Sequence, residues 1–188
     1  MAKVRLGAQP LVYPMPSFLV GTTVGGKPNF VTVAWGGIAC GDPPMISLAI
    51  RQTRHSMKGI NENRVFSVNV PSTDQVKETD YCGLHSGSRV DKAAACGFKL
   101  FYGKLPQAPL IEQCPVNLEC TVVEILELGS HFLVIGNIEE VFISDDCLTT
   151  GRPDVAKIKP LVYTTVSSNY QALGEVIGKA FHVGKELG

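Results

Sequence analysis

The chain of 188 residues is 45% hydrophobic and 18% charged, a composition typical of a globular domain with a substantial core. Its 17 basic residues balance 17 acidic ones, so it lacks the basic surplus that nucleic-acid binding requires. No apolar run approaches the ~18 residues of a membrane helix, and the N-terminus lacks the apolar stretch of a secretory signal. We therefore expect one cytoplasmic domain, residues 1–188, with neither a nucleic-acid nor a membrane partner.

The first half of the chain predicts short strands joined by turns. The β-rich segment 17–24 and the turn signal Gly-Gly-Lys-Pro predict a hairpin over residues 17–36. The elements expected next are, in order, a strand buried on both faces (45–50), a short helix (55–63), a strand (64–70) and a polar, helix-like segment (72–97).

The second half of the chain predicts two long strands and a β-rich tail. Residues 116–122 alternate apolar and polar side chains, whereas residues 131–143 are apolar on both faces. The sequence Glu-Leu-Gly-Ser between them is a hairpin turn, and a last strand is expected over 162–166. Strands outnumber helices and follow one another as a meander. This order predicts a mainly β (α+β) fold, an antiparallel barrel that is closed or nearly closed and carries a few peripheral helices.

Several motif-like features do not fit the chemistry that they suggest. Residues 21–27 match the first seven positions of a phosphate-binding P-loop, but Pro28 replaces the hydroxyl that would bind magnesium, and a strand follows. The four histidines lack metal-ligand spacing, and no two of the six cysteines form a Cys-x-x-Cys pair. We expect no metal site and six free, structural thiols.

Residues 51–56, Arg-Gln-Thr-Arg-His-Ser, lie where a predicted strand gives way to a helix. Backbone N–H groups at a helix start carry partial positive charge, and the arginine fork suits phosphate oxygens. The same residues also fit a solvated basic loop in which Thr53 or Ser56 caps the helix. The junction is therefore a candidate phosphate site with a structural alternative.

The segment 27–37, Lys-Pro-Asn-Phe-Val-Thr-Val-Ala-Trp-Gly-Gly, holds the only tryptophan of the chain. It predicts a strand through Trp35 that is either ordinary and half-buried or a platform for a flat ligand. In a meander it can be a neighbour of residues 51–56. A ligand with a flat ring at one end and a phosphate at the other would span both segments, and FMN is such a ligand.

Six short motifs follow one another in order between residues 29 and 136, within a stretch of resemblance that covers roughly residues 10 to 175. They are Asn29-x-x-Thr-x-Ala-Trp35, Asp42-Pro-Pro-x-Ile46, Arg51-x-Thr-Arg-His-Ser56, Phe66-Ser-Val-Asn, Cys82-Gly-x-x-Ser-Gly-x-x-x-Asp-Lys92 and Gly129-Ser-His131-x-x-Val-Ile-Gly136. In this order they resemble the flavin-reductase-like family of FMN-binding split barrels, most closely its flavoredoxin branch.

The resemblance implies a six-stranded split barrel, usually a homodimer, with FMN near the subunit interface. It implies that Asn29 and Trp35 lie beside the flavin and that the backbone of Thr32, Val33 and Ala34 meets the polar edge of the ring. By position, the remaining cofactor-binding candidates are Arg51, Thr53 and Ser56 at the phosphate and ribityl chain, Lys92 reaching the cofactor, and His131 after the hairpin turn. Either Tyr163 or Tyr170 would cover the ring.

Each candidate side chain also has a structural alternative. Trp35 fits a plain core residue, His131 a capped turn residue, and Lys92 a solvated helix lysine. Function has alternatives too. NAD(P)H could reduce the bound flavin enzymatically, a protein donor could reduce it in a pure electron carrier, or the barrel could bind a small ligand without redox chemistry. No catalytic acid or base is assigned, since hydride arrival at a flavin needs none from the protein.

Overall fold

A computed structural model of the chain describes residues 1–187. Its strands are β1 Met15–Pro16, β2 Phe18–Val24, β3 Lys27–Val33, β4 Gly36–Gly41, β5 Pro44–Arg51, β6 Val65–Val70, β7 Leu100–Phe101, β8 Leu110–Ile111, β9 Val116–Leu128, β10 His131–Ile143, β11 Leu148–Thr149, β12 Arg152–Pro153, β13 Val162–Thr164 and β14 Asn169–Gln171. Its helices are α1 Ser56–Asn63, α2 Val76–Leu84, α3 Lys92–Ala95 and α4 Val155–Ile158, with 3-10 turns at Thr73–Gln75, Asp145–Cys147 and Val183–Leu187.

The main sheet is antiparallel, with the strand order β3-β2-β6-β9-β10-β5-β4. Strands β3 and β4 lie at opposite edges of that order, yet only Ala34 and Trp35 join them in the chain. The sheet must therefore curl until its edges approach. The pairing of β4 with β5 continues into this connection, where the backbone N–H of Ala49 donates to the Trp35 carbonyl at 2.7 Å. The fold is the expected split barrel, with β4 as a seventh strand on the edge.

The barrel interior is filled by alternate residues of its strands. On β5 the inward residues Ile46, Leu48 and Ile50 are buried, and they pack with Phe66 and Val68 of β6. Because side chains alternate along a strand, Ala49 and Arg51 of β5 face outward. The outer surface at the end of β5 is where the candidate site lies.

A second buried cluster holds helices α2 and α3 against the outside of β2 and β3. Leu19, Phe30, Cys82, Ile111 and Cys114 are fully buried there. The ring of Phe30 also meets Phe98 edge to face, with 5.5 Å between centroids. This packing fixes the two helices beside β3, and it brings the first residue of α3 next to the strand.

The strands of the main sheet differ from the predicted ones in three places. Strand β3 ends at Val33, so the prediction of a strand through Trp35 is wrong, and β4 was not predicted at all. Strand β4 begins and ends with glycine, a residue that is rare in strands, and its side chains do not alternate between apolar and polar. Strand β9 continues six residues beyond 122, because an exposed hairpin needs no apolar face.

The segment 72–97 was predicted as one polar, helix-like stretch. In the structure it forms two helices separated by a loop. A 3-10 turn and α2 come first, then the loop 85–91, then α3. The carboxylate of Asp91 caps α3 by accepting from the Ala94 N–H at 3.0 Å. Among residues 1–187, no helix combines the length and the apolarity that spanning a membrane requires.

Candidate functional site

A cavity of about 330 Å³ opens on the outer surface of the barrel, at the seam between β3 and β5. Strand β3 pairs with β2 on one side only, so backbone N–H and C=O groups along its other edge are available to a ligand. The cavity is lined by Val31, Thr32, Val33, Ala34, Trp35, Ala49, Ile50, Arg51, Arg54, His131, Tyr163 and Thr165. We name it the ring cavity.

Trp35 and His131 form one wall of the ring cavity. Their rings stack with centroids 4.8 Å apart and planes 26° from parallel. The pairing of β10 with β5 sets His131 opposite Arg51, and Ser130 Oγ lies 2.8 Å from His131 Nδ1. Burial and then the charge of Arg51 lower the pKa of His131. Since Trp35 is 37% exposed, the plain-core alternative for it is wrong.

A second cavity of about 300 Å³ continues from the first, and Val31, Arg51 and Arg54 line both. We name it the phosphate cavity. Its lining consists of Asn29, Val31, Arg51, Thr53, Arg54, His55, Ser56, His85, Ser86, Gly87 and Lys92. Three of these residues are Arg or Lys and none is Asp or Glu, although acidic and basic residues balance over the whole chain. The cavity is therefore suited to an anion.

Lys92 is the buried cation of the phosphate cavity. It is 3% exposed, and its Nζ donates to the carbonyls of Phe30 and Cys82 at 2.8 Å each. Over residues 1–185 and 187 the one ion pair is Lys104–Glu140, so Lys92 has no carboxylate partner among these residues. Burial, and to a lesser degree the charge of Arg54, lowers the Lys92 pKa. The solvated-lysine alternative is wrong, and a buried ammonium with no counterion is stabilised by a bound anion.

Asn29 joins β3 to the start of α1. Its Nδ2 donates to Ser56 Oγ at 2.6 Å, while its Oδ1 is buried without a hydrogen-bond partner among the described residues. An unpaired buried acceptor costs about 1–3 kcal/mol, which a ligand hydroxyl would recover. A Cβ at Gly87 would collide with that amide oxygen, so a larger residue at position 87 would displace the Asn29 amide. No side chain caps α1, which removes the capping alternative for Thr53 and Ser56.

All ten residues predicted to contact the cofactor line one or both cavities. Six residues of the phosphate cavity were not predicted from the sequence: Val31, Arg54, His55, His85, Ser86 and Gly87. All six lie within the quoted motifs, and four of them, Arg54, His55, Ser86 and Gly87, are defined positions of those motifs, so the signal was present. Arg54 also ties the junction to α2, since its Nη1 donates to the Gly83 carbonyl at 3.0 Å.

The two C-terminal tyrosines occupy different positions. Tyr163 lines the ring cavity, whereas Tyr170 packs on Tyr163 with 5.7 Å between ring centroids. The Tyr170 hydroxyl donates to Asp80 Oδ1 at 3.3 Å. The geometry therefore makes Tyr163 the candidate to cover a ring in this cavity, with Tyr170 supporting it.

His55 offers a pH test of the phosphate cavity. Burial lowers its pKa below the ordinary 6.5, and the charges of Lys58 and Lys92 add to the effect. His55 thus contributes stability above about pH 6.5, which is lost as the pH falls through the folded-state pKa. We expect a bound phosphate to favour the imidazolium and to raise that pKa. An NMR titration of His55 with and without FMN measures the change; an unchanged pKa would place the phosphate elsewhere.

Residues 1–185 and 187 contain no cluster of three or more His, Cys, Asp or Glu side chains placed to hold a metal ion. All six cysteines are free thiols. Burial raises the pKa of Cys114 to about 12, and it also raises the pKa of Cys82. These thiols are therefore poor nucleophiles at neutral pH.

The match to a family model and the matches to solved structures agree with one another. A family model described as a flavin reductase like domain matches residues 11–174. The chain is 38% identical to flavoredoxin from Methanosarcina acetivorans, with a TM-score of 0.95 and 100% of both chains covered. It is 36% identical to flavoredoxin of Desulfovibrio vulgaris (Miyazaki F), with a TM-score of 0.92, covering 97% of this chain and 100% of that one. An FMN-binding protein from Thermus thermophilus with bound p-hydroxybenzaldehyde is 26% identical at a TM-score of 0.79, covering 95% and 99%.

Proposed function

Because the chain belongs to the flavin reductase-like family, and so is a flavin-binding redox protein, we propose that it binds FMN along the groove formed by the ring and phosphate cavities. It would act as one domain that passes electrons through this cofactor. Family membership favours redox chemistry over a non-redox ligand-binding barrel. Free thiols at all six cysteines support a reducing compartment such as the cytoplasm.

The observation that carries the proposal is the buried, uncompensated Lys92 at one end of a groove whose other end is bounded by aromatic rings. FMN has a dianionic phosphate at one end and a flat ring at the other. Lys92 and Arg51 would bind the phosphate, with Thr53 and the first amides of α1 as further donors. The Asn29 Oδ1 would accept from a ribityl hydroxyl, which gives the buried oxygen its missing partner.

In the ring cavity, the unpaired edge of β3 would meet the polar edge of the flavin. Backbone groups of Thr32, Val33 and Ala34 would bond to the pyrimidine heteroatoms. Trp35 with His131 would form one wall, and Tyr163 would cover the ring from the opposite segment. When bound, the flavin supplies hydride and electron transfer; the protein binds it, orients it and excludes water.

The electron donor separates an enzyme from a carrier. We propose that NADH or NADPH reduces the bound flavin, and we expect the flavin absorbance near 450 nm to bleach within seconds when either is added anaerobically. Each nucleotide is tested separately in a stopped-flow spectrophotometer, with sodium dithionite as the control for full reduction. A flavin that bleaches with dithionite but not with either nucleotide would contradict reductase activity.

The second candidate is a pure electron carrier, which the likeness to two flavoredoxins favours. In that case a reduced redox protein, rather than a nicotinamide, donates the electrons. Anaerobic reduction by a reduced ferredoxin-type donor, without bleaching by NADH or NADPH, is the result that would select this function.

We further propose a homodimer with the flavin near the interface. The described chain exposes large apolar side chains along its termini and its long hairpin, among them Val12, Leu128, Ile177 and Phe181. Strand β10, predicted to be apolar on both faces, contributes the exposed Val141. A second copy covering these side chains would bury apolar surface that a monomer leaves in water. Light scattering with flavin bound is expected to give twice the 20.2 kDa chain mass, and a monomer mass would exclude the interface.

A further inference from the structure

The last residues of the chain, 177–187, form an arm that lies clear of the barrel. Every arm residue whose side chain the structure describes is exposed, and Ile177, Phe181 and Leu187 are exposed almost completely. The backbone hydrogen bonds recorded for residues 177–187 join the arm only to itself. Several large apolar side chains exposed together mark an interaction site, so the arm is suited to bind another surface.

Phe181 has the most unusual backbone of the arm. Its φ is +59°, in the left-handed region that a residue with a bulky side chain rarely adopts. The residue is 99% exposed, so contacts with the described part of its own chain do not hold it there. Backbone strain of this kind persists where surrounding contacts impose it. For Phe181, those contacts would come from another molecule.

A cavity of about 450 Å³ on the barrel has the lining that an aromatic side chain needs. We name it the apolar cavity. No charged residue lines it, and its one side-chain hydroxyl, that of Ser47, already donates to the Gly37 carbonyl at 3.4 Å. Much of the lining comes from Pro10, Val12, Pro14, Met15, Pro16 and Leu133. The apolar cavity is therefore suited to an uncharged, apolar group.

The apolar cavity and the ring cavity share one wall. Ala34, Trp35 and Ala49 line both cavities. A side chain placed in the apolar cavity would cover part of the Trp35 indole that is now exposed. It would also hold in place, from the far side, the wall against which the flavin is proposed to lie.

The arm begins beside the apolar cavity of its own chain but does not enter it. The preceding strand β14 belongs to the small sheet β1-β13-β14, and both residues of β1, Met15 and Pro16, line the cavity. No arm residue within the described part of the chain lines it. The ten residues from Ala172 to Phe181 span at most about 33 Å when extended. In a two-fold dimer built around this face, each arm would start near the axis and reach the same cavity of the partner.

Building on the homodimer proposed above, we propose that two copies of the chain exchange their C-terminal arms. The partner's Phe181 would fill the apolar cavity and pack on the indole of Trp35. Aromatic side chains are enriched at such interfaces because each ring buries a large apolar area. The second copy thereby completes the flavin site, since it supports the wall of the ring cavity that a single chain leaves uncovered.

Trp35 is the only tryptophan of the chain, so its fluorescence reports the docking of the arm directly. In the flavin-free, full-length protein we expect Phe181→Ala to raise acrylamide quenching of this fluorescence about twofold, because the indole loses its apolar cover. Tyr102→Ala is the matched control: it removes an exposed aromatic side chain that lines neither cavity, and quenching should not change. Equal quenching in the wild type and in Phe181→Ala would overturn the arm exchange.

A disulfide test shows which copy the arm reaches. In a variant that carries both Val12→Cys and Phe181→Cys, mild oxidation is expected to link two chains, because the exchange brings these positions of different copies together. A non-reducing gel detects the covalent dimer, and the two single variants are the controls that should remain unlinked. A link within one chain, or no link at all, would overturn the exchange.

Both readouts use flavin-free protein, so they separate the arm exchange from the proposed function. A covalent dimer in a protein that does not bind FMN would support the exchange and overturn the flavin site. FMN binding without the cross-link would overturn the exchange and leave the flavin site standing. A monomer mass by light scattering would overturn the homodimer and the arm exchange together.

Discussion

Lys92→Met is expected to weaken FMN binding by about 3 kcal/mol, roughly 150-fold, while changing riboflavin binding less than threefold. Methionine keeps the length of the side chain but removes the ammonium. Lys92 is 3% exposed and lacks an acidic partner among the described residues, so its charge is free to act on a ligand phosphate. Riboflavin has no phosphate, and its affinity reports only the ring and ribityl contacts.

Flavin fluorescence titrations of both ligands, with wild-type and variant protein, measure the effect. Retained riboflavin binding also shows that the variant folds, although the carbonyls of Phe30 and Cys82 lose their donor. The loss should persist at high salt, because a contact between the phosphate and a lysine as buried as Lys92 is screened much less than a contact on the surface. An equal loss for the two flavins would show that Lys92 holds β3 and α2 in place without contacting the phosphate.

Gly87→Ala is expected to weaken FMN and riboflavin equally, by about 2 kcal/mol or roughly 30-fold. A Cβ at residue 87 would collide with Asn29 Oδ1 and would come within 2.7 Å of the Asn29 amide carbon. The amide must turn away, which breaks its 2.6 Å bond to Ser56 and removes the acceptor proposed for the ribityl chain. Two hydrogen bonds of about 1 kcal/mol each account for the magnitude.

The matched control for this substitution is Gly41→Ala, at the end of β4. A Cβ there meets nothing within 4 Å, so neither stability nor flavin affinity should change appreciably. Thermal unfolding of both variants separates affinity from stability, since overpacking at residue 87 costs about 1–3 kcal/mol. Wild-type flavin affinity in Gly87→Ala would show that Asn29 takes no part in binding.

The strands were predictable where runs of apolar residues in the sequence correspond to buried positions. Residues 45–50 and 131–143 are rich in apolar side chains, and the structure has strands at both places. The strand β4 escaped prediction because it is an exposed edge strand bounded by glycines, whose pairing with β5 depends on the curl of the whole sheet. Closure of a barrel is a property of distant segments, which local sequence does not encode.

The candidate site likewise has residues that the sequence identifies and residues whose roles only the structure shows. Lys92 and Ser56 stand in short ordered motifs, so residue type and position were sufficient to name them. The choice between Tyr163 and Tyr170 required the structure, because both tyrosines belong to one hairpin and only its packing places Tyr163 on the cavity. The role of Gly87 likewise depends on Asn29, which is 58 positions away in the chain.

We propose that one groove on this chain holds FMN from ring to phosphate. The most direct test of this proposal is the visible absorbance spectrum of the full-length protein, recorded as purified and again after incubation with FMN and removal of free ligand. We expect a yellow protein with flavin bands and one FMN per chain. A protein that is colourless as purified and remains colourless after FMN would contradict it.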